Sequence, residues 1–481
     1  MREKIYTRIR ITRDGSLFLL ILILIFALAL RLYFFVGPNL NDDIDYIFSA
    51  HEVSEGRFYP LYGSSINAIR WMMTLPIAVS FRLFGVNIFS SSLYPISCSL
   101  GTIIATFYIG KILVNYRVGL ISALILSFFP LDIAFSTQLV PTVPVTMFMT
   151  LALLLFLYAE KYNRTTLFFL SGIMMGFSYL ANIMTGILAL SISISYIIIE
   201  RRFKKKYFLV LLGFLLVFSL ESLLMLINTG NAFHRLNVIH ETEKMIGTNT
   251  DMGYYPRVML KLINVDFNAH EGNLGVYFYV FIIACVFSFI RTERGLWFLV
   301  LSFVLIMLYF EFGVMTSNLK PIAKWVRYLL VFGPTFSILI GYMFEKISNN
   351  NLKIVLISIF LIVNIPYIIG STETYRSWTH EFWQEYNYLK NLPRKTIYTD
   401  QGSKGFLEFY SGYEWDIRNL EYSKLEEIKD SYVIVNGSRG VVECKEMRNS
   451  LPDFAINPPK EWELLAVIDG KIINPKIYYV P

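Results

Sequence analysis

The 481-residue sequence predicts an α-helical polytopic membrane protein of about eleven transmembrane helices, with a small α/β C-terminal domain outside the membrane. Three observations predict it. Hydrophobic residues make up 55% of the chain and charged residues 16%, against roughly 45–50% and 25% in soluble domains, which excludes an ordinary cytosolic enzyme. The apolar residues gather in runs close to the ~20 residues that cross a hydrocarbon core as a helix. Basic residues cluster between those runs, so the net charge of +7 orients spans rather than binding nucleic acid.

A basic tail with Arg2, Lys4, Arg8, Arg10 and Arg13 precedes the first run, 17–36. That run is too long for a signal peptide and poor in small-residue cleavage sites, so it is expected to stay as a span with the N-terminus cytoplasmic. Further runs fall near 92–112, 118–135, 142–159, 166–181, 183–199, 207–227, 273–290, 295–313, 326–344 and 353–370. Segment 68–84 is also apolar, but it carries Arg70, Arg82 and Pro76. Were it to cross, the basic loop with Arg201, Arg202, Lys204, Lys205 and Lys206 would face outside. An amphipathic helix lying at the interface puts that loop in the cytoplasm instead. Parity and charge then give a membrane domain, 1–370, with outer loops 37–91 and 228–272, and a soluble extracytoplasmic domain, 371–481. In the latter, 396–399, 432–435 and 462–468 have strand patterns and 403–410 a helical one. Cys98 and Cys285 sit in apolar runs and Cys444 is alone in the tail, so no disulfide framework is expected.

The chemistry-bearing stretch follows the first span directly: Asp42, Asp43 and Asp45 lie within a few residues of the outer surface, with Tyr46 next. Three readings of these carboxylates stand side by side. Asn41 or Asp42 caps a helix, since acids favour first turns. One carboxylate, its pKa raised near a low-dielectric surface, takes a proton from a hydroxyl. The group binds a divalent metal, although no His or further acidic cluster stands at a matching spacing.

The order of residues here resembles the GT-C class of membrane glycosyltransferases, in the glycosyltransferase family 39-like branch of protein O-mannosyltransferases and lipid A aminoarabinose transferases. The matching features are Asp42-Asp43, Tyr46 and Ala50, then Arg82-Leu-Phe-Gly85, then the stretch from Val118 to Pro130 with Ser136 and Pro141. They cover about the first 200 residues. The chain departs from the pattern in the second outer loop, where Thr142 and Gln138 stand near positions that are acidic and basic in relatives, and Asp132 comes earlier. The resemblance implies an inverting transfer of a sugar, mannose being one candidate, from a polyprenyl or dolichyl phosphate to a hydroxyl on a glycan, lipid or protein acceptor. It implies Asp42 and Asp43 as catalytic residues and no required cofactor.

A lipid-phosphate donor needs cations at the ends of spans. Arg70, Lys324 and Arg327 are the candidates, with snorkelling as the alternative for Arg327. Tyr46, Tyr254, Tyr255 and Arg257 are candidate substrate contacts, the last three within a mixed-charge lid. That lid holds His234, His240 and His270, which are not at zinc spacing. Asn436-Gly-Ser438 is a glycosylation sequon on the outer side. A membrane glycosyltransferase of the cell membrane is therefore expected. The alternative is a lipid or polysaccharide transporter or flippase, which predicts charges deep in the spans facing a midplane cavity; Arg31, Glu221 and Glu311 are expected near span ends, leaving the midplane uncharged.

Overall fold

A computed structural model describes residues 2–57, 66–245, 252–261, 274–314, 321–377, 379–438, 452–470 and 473–481. The described residues up to 377 are mostly helical. In order come α1 (Arg2–Tyr33), α2 (Leu40–Ser54), α3 (Trp71–Phe84), α4 (Ile88–Leu113), α5 (Tyr116–Ser127), α6 (Pro130–Phe135), α7 (Thr142–Tyr162), α8 (Thr165–Ala181), α9 (Thr185–Glu200) and α10 (Phe208–Thr229). Then follow α11 (His234–Met245), α12 (Tyr254–Leu260), α13 (Tyr277–Ile290), α14 (Arg294–Phe312), α15 (Gly333–Glu345) and α16 (Asn350–Ser377).

Each of the eleven apolar runs contains helix, but by length and composition seven helices among the described residues can cross a membrane. The other runs yield shorter apolar helices. Run 118–135 divides because Pro130 bars the α conformation from the residue before it, so α5 stops at Ser127 and α6 starts afresh. Segment 68–84 forms α3, 14 residues long, with Arg70 at its N-cap. It ends at Gly85, whose φ of 74° suits glycine. Its exposed face carries Val79, Leu83 and Phe84 together with Arg82.

Helix–helix contact uses glycine where backbones meet. A Cβ on Gly213 of α10 would lie 2.1 Å from the Phe169 carbonyl of α8, and one on Gly172 of α8 would lie 2.0 Å from the Val210 carbonyl. Small residues permit that approach when no water is available to drive helices together. The opposite face of α10 exposes Leu212, Leu216, Leu220 and Leu223, as a lipid-facing helix should.

Beyond α16 lie α17 (His380–Leu389), β1 (Ile397–Thr399), α18 (Gln401–Tyr410), β2 (Ile417–Asn419), β3 (Ser431–Ser438), α19 (Asp453–Ile456), β4 (Glu463–Val467) and β5 (Ile473–Val480). The five strands form one sheet in the order β2-β1-β3-β5-β4, parallel between β2, β1 and β3 and antiparallel thereafter. Alternation along the strands sends Ile397, Tyr432, Ile434 and Ile477 to one covered face. Tyr398, Val433 and Tyr478 go to the other. β2 and β5 were not expected from the sequence: the first has three residues, and the second is interrupted by Pro475. Asp400 begins α18 by accepting hydrogen bonds from the Gly402 and Ser403 N–H groups. The Asn436 amide nitrogen, which a glycan would have to join, donates to Asp400 and to Ser403 Oγ. The sequon side chain is thus tied into the fold.

Candidate active site

The loop after α1 turns into α2 at Asn39, and the first helical turn carries Asp42 and Asp43. Adjacent residues on a helix point about 100° apart, and the two carboxylates meet different surroundings. Asp43 is buried. Its Oδ2 accepts from the backbone N–H of Asn39 at 2.7 Å and of Leu139 at 3.1 Å. It therefore serves the start of the helix, the job expected of Asn41 or Asp42, and joins α2 to the segment between α6 and α7. Burial pushes the Asp43 carboxyl up to about 7, helped by the nearby Asp42 charge and opposed by the two N–H donors.

Asp42 faces outward, its side chain 49% exposed. Its Oδ1 accepts from Asn67 Nδ2 at 3.3 Å, and its Oδ2 lies 3.5 Å from Arg327 Nη1. Asn67 also donates to Asp45 Oδ2 at 3.1 Å, a carboxyl that burial raises above its ordinary value. Arg70 donates to Tyr46 Oη at 2.5 Å and to Asn67 Oδ1 at 3.2 Å. The Arg327 guanidinium lies 5.0 Å from the centre of the Trp325 ring, which holds its plane by cation–π attraction. Asp42, Tyr46, Arg70 and Arg327 thus come together from three segments. Sequence reasoning missed Asn67, which links three of the site's charged side chains; its place as a polar residue shortly before Arg70 was the one signal that could have found it.

Lys324, Tyr254 and Tyr255 belong to a different arrangement. Glu311 at the end of α14 accepts from Lys324 Nζ at 2.7 Å, Gly253 N at 2.5 Å and Tyr255 N at 3.2 Å. Lys324 is buried in that pair, so its ammonium neutralises Glu311 rather than facing the Asp42 cluster. Tyr254 and Tyr255 are buried too, whereas Arg257 is exposed and donates to the Gly253 carbonyl. The two arrangements adjoin through Trp325, whose N–H donates to Tyr255 Oη at 3.3 Å. His270 lies outside the described residues.

Arg31 and Glu221, two of the charges expected near span ends, are buried among the helices. Arg31 of α1 is fully buried, paired with Asp132 of α6, and both bond Ser99 of α4. Glu221 of α10 pairs with Arg235 of α11 at 3.0 Å, both buried. Arg235 donates further to the Ile69 and Tyr179 carbonyls, each at 2.8 Å. Each of these charges has a partner brought from another helix, the arrangement that makes burial of charge tolerable. Among the described residues no three His, Cys, Asp or Glu side chains converge as metal ligands.

Comparison with known proteins follows the same lines. A family model described as dolichyl-phosphate-mannose-protein mannosyltransferase matches residues 70–223. No curated protein matches the chain. Among solved structures, ArnT from Cupriavidus metallidurans in the apo state superposes with a TM-score of 0.57 at 14% identity, covering 95% of this chain and 97% of that one. The same protein bound to undecaprenyl phosphate gives 0.58 at 12%, with the same coverage. The Archaeoglobus fulgidus oligosaccharyltransferase in complex with Zn and sulfate gives 0.52 at 12%, covering 94% of this chain and 72% of that one. Over nearly its whole length the chain shares the fold of these solved structures, and residues 70–223 carry the pattern of the dolichyl-phosphate-mannose-protein mannosyltransferase family.

Proposed function

We propose that this protein transfers a sugar, with mannose as the first candidate, from a polyprenyl or dolichyl phosphate to a hydroxyl acceptor at the outer membrane face, with inversion at the anomeric carbon. The observation that carries the proposal is the half-exposed Asp42 carboxylate, steadied by Asn67 and set beside Arg327 and the Arg70–Tyr46 pair. Asp42 takes the proton from the acceptor hydroxyl as its oxygen bonds to the anomeric carbon. The bond from that carbon to the phosphate oxygen breaks, and its electron pair leaves with the lipid phosphate. The leaving group needs no proton, and Arg327 and Arg70 meet its charge. Because one displacement occurs, the configuration inverts. The reaction so written uses no cofactor, and Asp43 acts by holding the turn that presents Asp42.

A membrane neighbour bound to undecaprenyl phosphate supports the donor class, and the mannosyltransferase family pattern supports mannose. In the proposed orientation the N-terminus is cytoplasmic and the sheet domain lies outside the cell membrane, with the acceptor approaching from the sheet-domain side. The test is to incubate the purified protein and Asp42→Asn with a panel of polyprenyl-phosphate sugars and an oligosaccharide, lipid or peptide acceptor. Released lipid phosphate is then measured alongside donor binding. Asp42→Asn is expected to lose about 10² to 10⁴ in turnover while still binding donor. Near-normal turnover in that variant would remove Asp42 as the base.

A further inference from the structure

Helix α18 belongs to the sheet domain, yet it packs against α2 rather than only against its own sheet. The contact has three parts. Gly405 of α18 meets Ile44 of α2 so closely that a Cβ built on the glycine would stand 2.6 Å from Ile44 Cγ2. Phe409, fully buried, joins Tyr46, Ile47, Ala50 and Leu139 in one apolar cluster. Just past the helix, the Tyr413 ring stacks on His51 of α2, with ring centres 4.0 Å apart and planes 5° from parallel. Ile44 lies between Asp43 and Asp45 on the same turn as Asp42. The sheet domain therefore touches the segment that carries the carboxylates.

We propose that α18 is a positioning element for the reaction: the Gly405–Ile44 contact sets where α2 presents Asp42, so the extramembrane domain acts on turnover without touching the reacting atoms. The inference builds on the assignment of Asp42 above. Ile44 is β-branched and on a helix, which leaves it essentially one χ1 rotamer, so it cannot swing clear of an added methyl. The strain of Gly405→Ala must move one helix against the other. Gly405 has ordinary helical φ, and nothing but Ile44 lies within 4 Å of the added Cβ. The substitution therefore disturbs this contact and no other.

The experiment is a double-variant cycle of Gly405→Ala, Ile44→Ala and both together, in full-length protein, read by turnover, donor KM and hydrogen exchange of the α2 amides. Gly405→Ala is expected to lower turnover about tenfold or more, the scale of an ångström misplacement. Donor KM should stay unchanged and the α2 amides should exchange faster. Ile44→Ala, which removes the colliding methyl, should restore most of both losses in the double variant. A general loss of folding would lower the folded fraction and with it turnover per total protein while leaving donor KM unchanged, so turnover is taken per folded protein. Wild-type turnover and wild-type α2 exchange in Gly405→Ala would overturn the proposal, as would faster exchange that Ile44→Ala fails to reverse. Should Gly405→Ala fail to fold, an active double variant supports the contact and an unfolded one overturns it. Asp42→Asn run in parallel separates the two assignments. Turnover retained there removes the base, while exchange and rescue still decide the role of α18.

Discussion

Asp42 and Asp43 are neighbours in the chain with opposite circumstances, and the difference yields two measurements. Asp43 is held by two backbone N–H groups inside the protein, and its carboxyl titrates near 7 instead of the ordinary 3.8. A group raised in the folded state binds its proton more tightly there than when unfolded. Its favourable contribution is complete below about pH 4 and is lost as pH rises through 7. The melting temperature in detergent should therefore carry a component that declines between pH 4 and 7, and Asp43→Asn should flatten it. An unchanged slope in Asp43→Asn would assign the titration to another group. Arg327 gives the second measurement. Its guanidinium stands 3.5 Å from Asp42 and 26% exposed, available to a phosphate that displaces the carboxylate. Loss of such a charge-assisted contact is worth about 1.5–3 kcal/mol, so Arg327→Ala should weaken donor binding roughly 10- to 100-fold and leave acceptor binding alone. Equal donor affinity in a folded variant would return Arg327 to a snorkelling role.

Among the elements, α8 and α10 show how the bundle is held. Their backbones approach at Gly172 and Gly213, where any side chain would run into a carbonyl of the facing helix. Gly213→Leu should force the helices apart. Overpacking typically costs about 1–3 kcal/mol, and here the obstacle is backbone, which cannot rotate away. A clear fall in melting temperature is expected, with no such fall for Gly186→Leu, since nothing lies within 4 Å of that glycine's added Cβ. Equal melting of the two variants would show that α8 and α10 tolerate separation. Near the end of α10, the buried Glu221–Arg235 pair fastens α11 to the Ile69 carbonyl, one residue from Arg70. The segment that follows the span is thereby tied to the segment that supplies a candidate phosphate ligand.

Across the whole molecule, the acidic turn, α3 and the sheet domain meet on one end of the bundle, the arrangement needed if a lipid-borne donor arrives from the membrane and a polar acceptor from water. The basic loop at 201–206 follows α9, whereas position 404 lies in α18 beside α2. Single cysteines at 204 and 404 should respond oppositely to an impermeant reagent applied to intact cells, with 404 labelled and 204 protected. Labelling of both from the same side would contradict the positive-inside orientation.

Composition and the period of apolar residues were enough to read the helical membrane bundle and the change to a small α/β domain, because hydrophobic length and alternation are local properties of a chain. The acidic turn at 42–45 and the Arg70 start of α3 were legible for the same reason: each is a charged residue placed directly beside an apolar run. Distances between remote segments are not local. Asp42 and Arg327 are 285 residues apart in sequence, and nothing in either neighbourhood says that they meet. The sequence could not show that Asp43 turns inward to backbone donors while Asp42 stays in reach of a ligand, or that Lys324 is consumed by Glu311. It likewise hid the pairing of Arg31 with Asp132 inside the bundle. The tertiary structure decided these points because a buried charge is stable only where the fold delivers its partner, and that delivery depends on how helices pack rather than on what precedes or follows each residue.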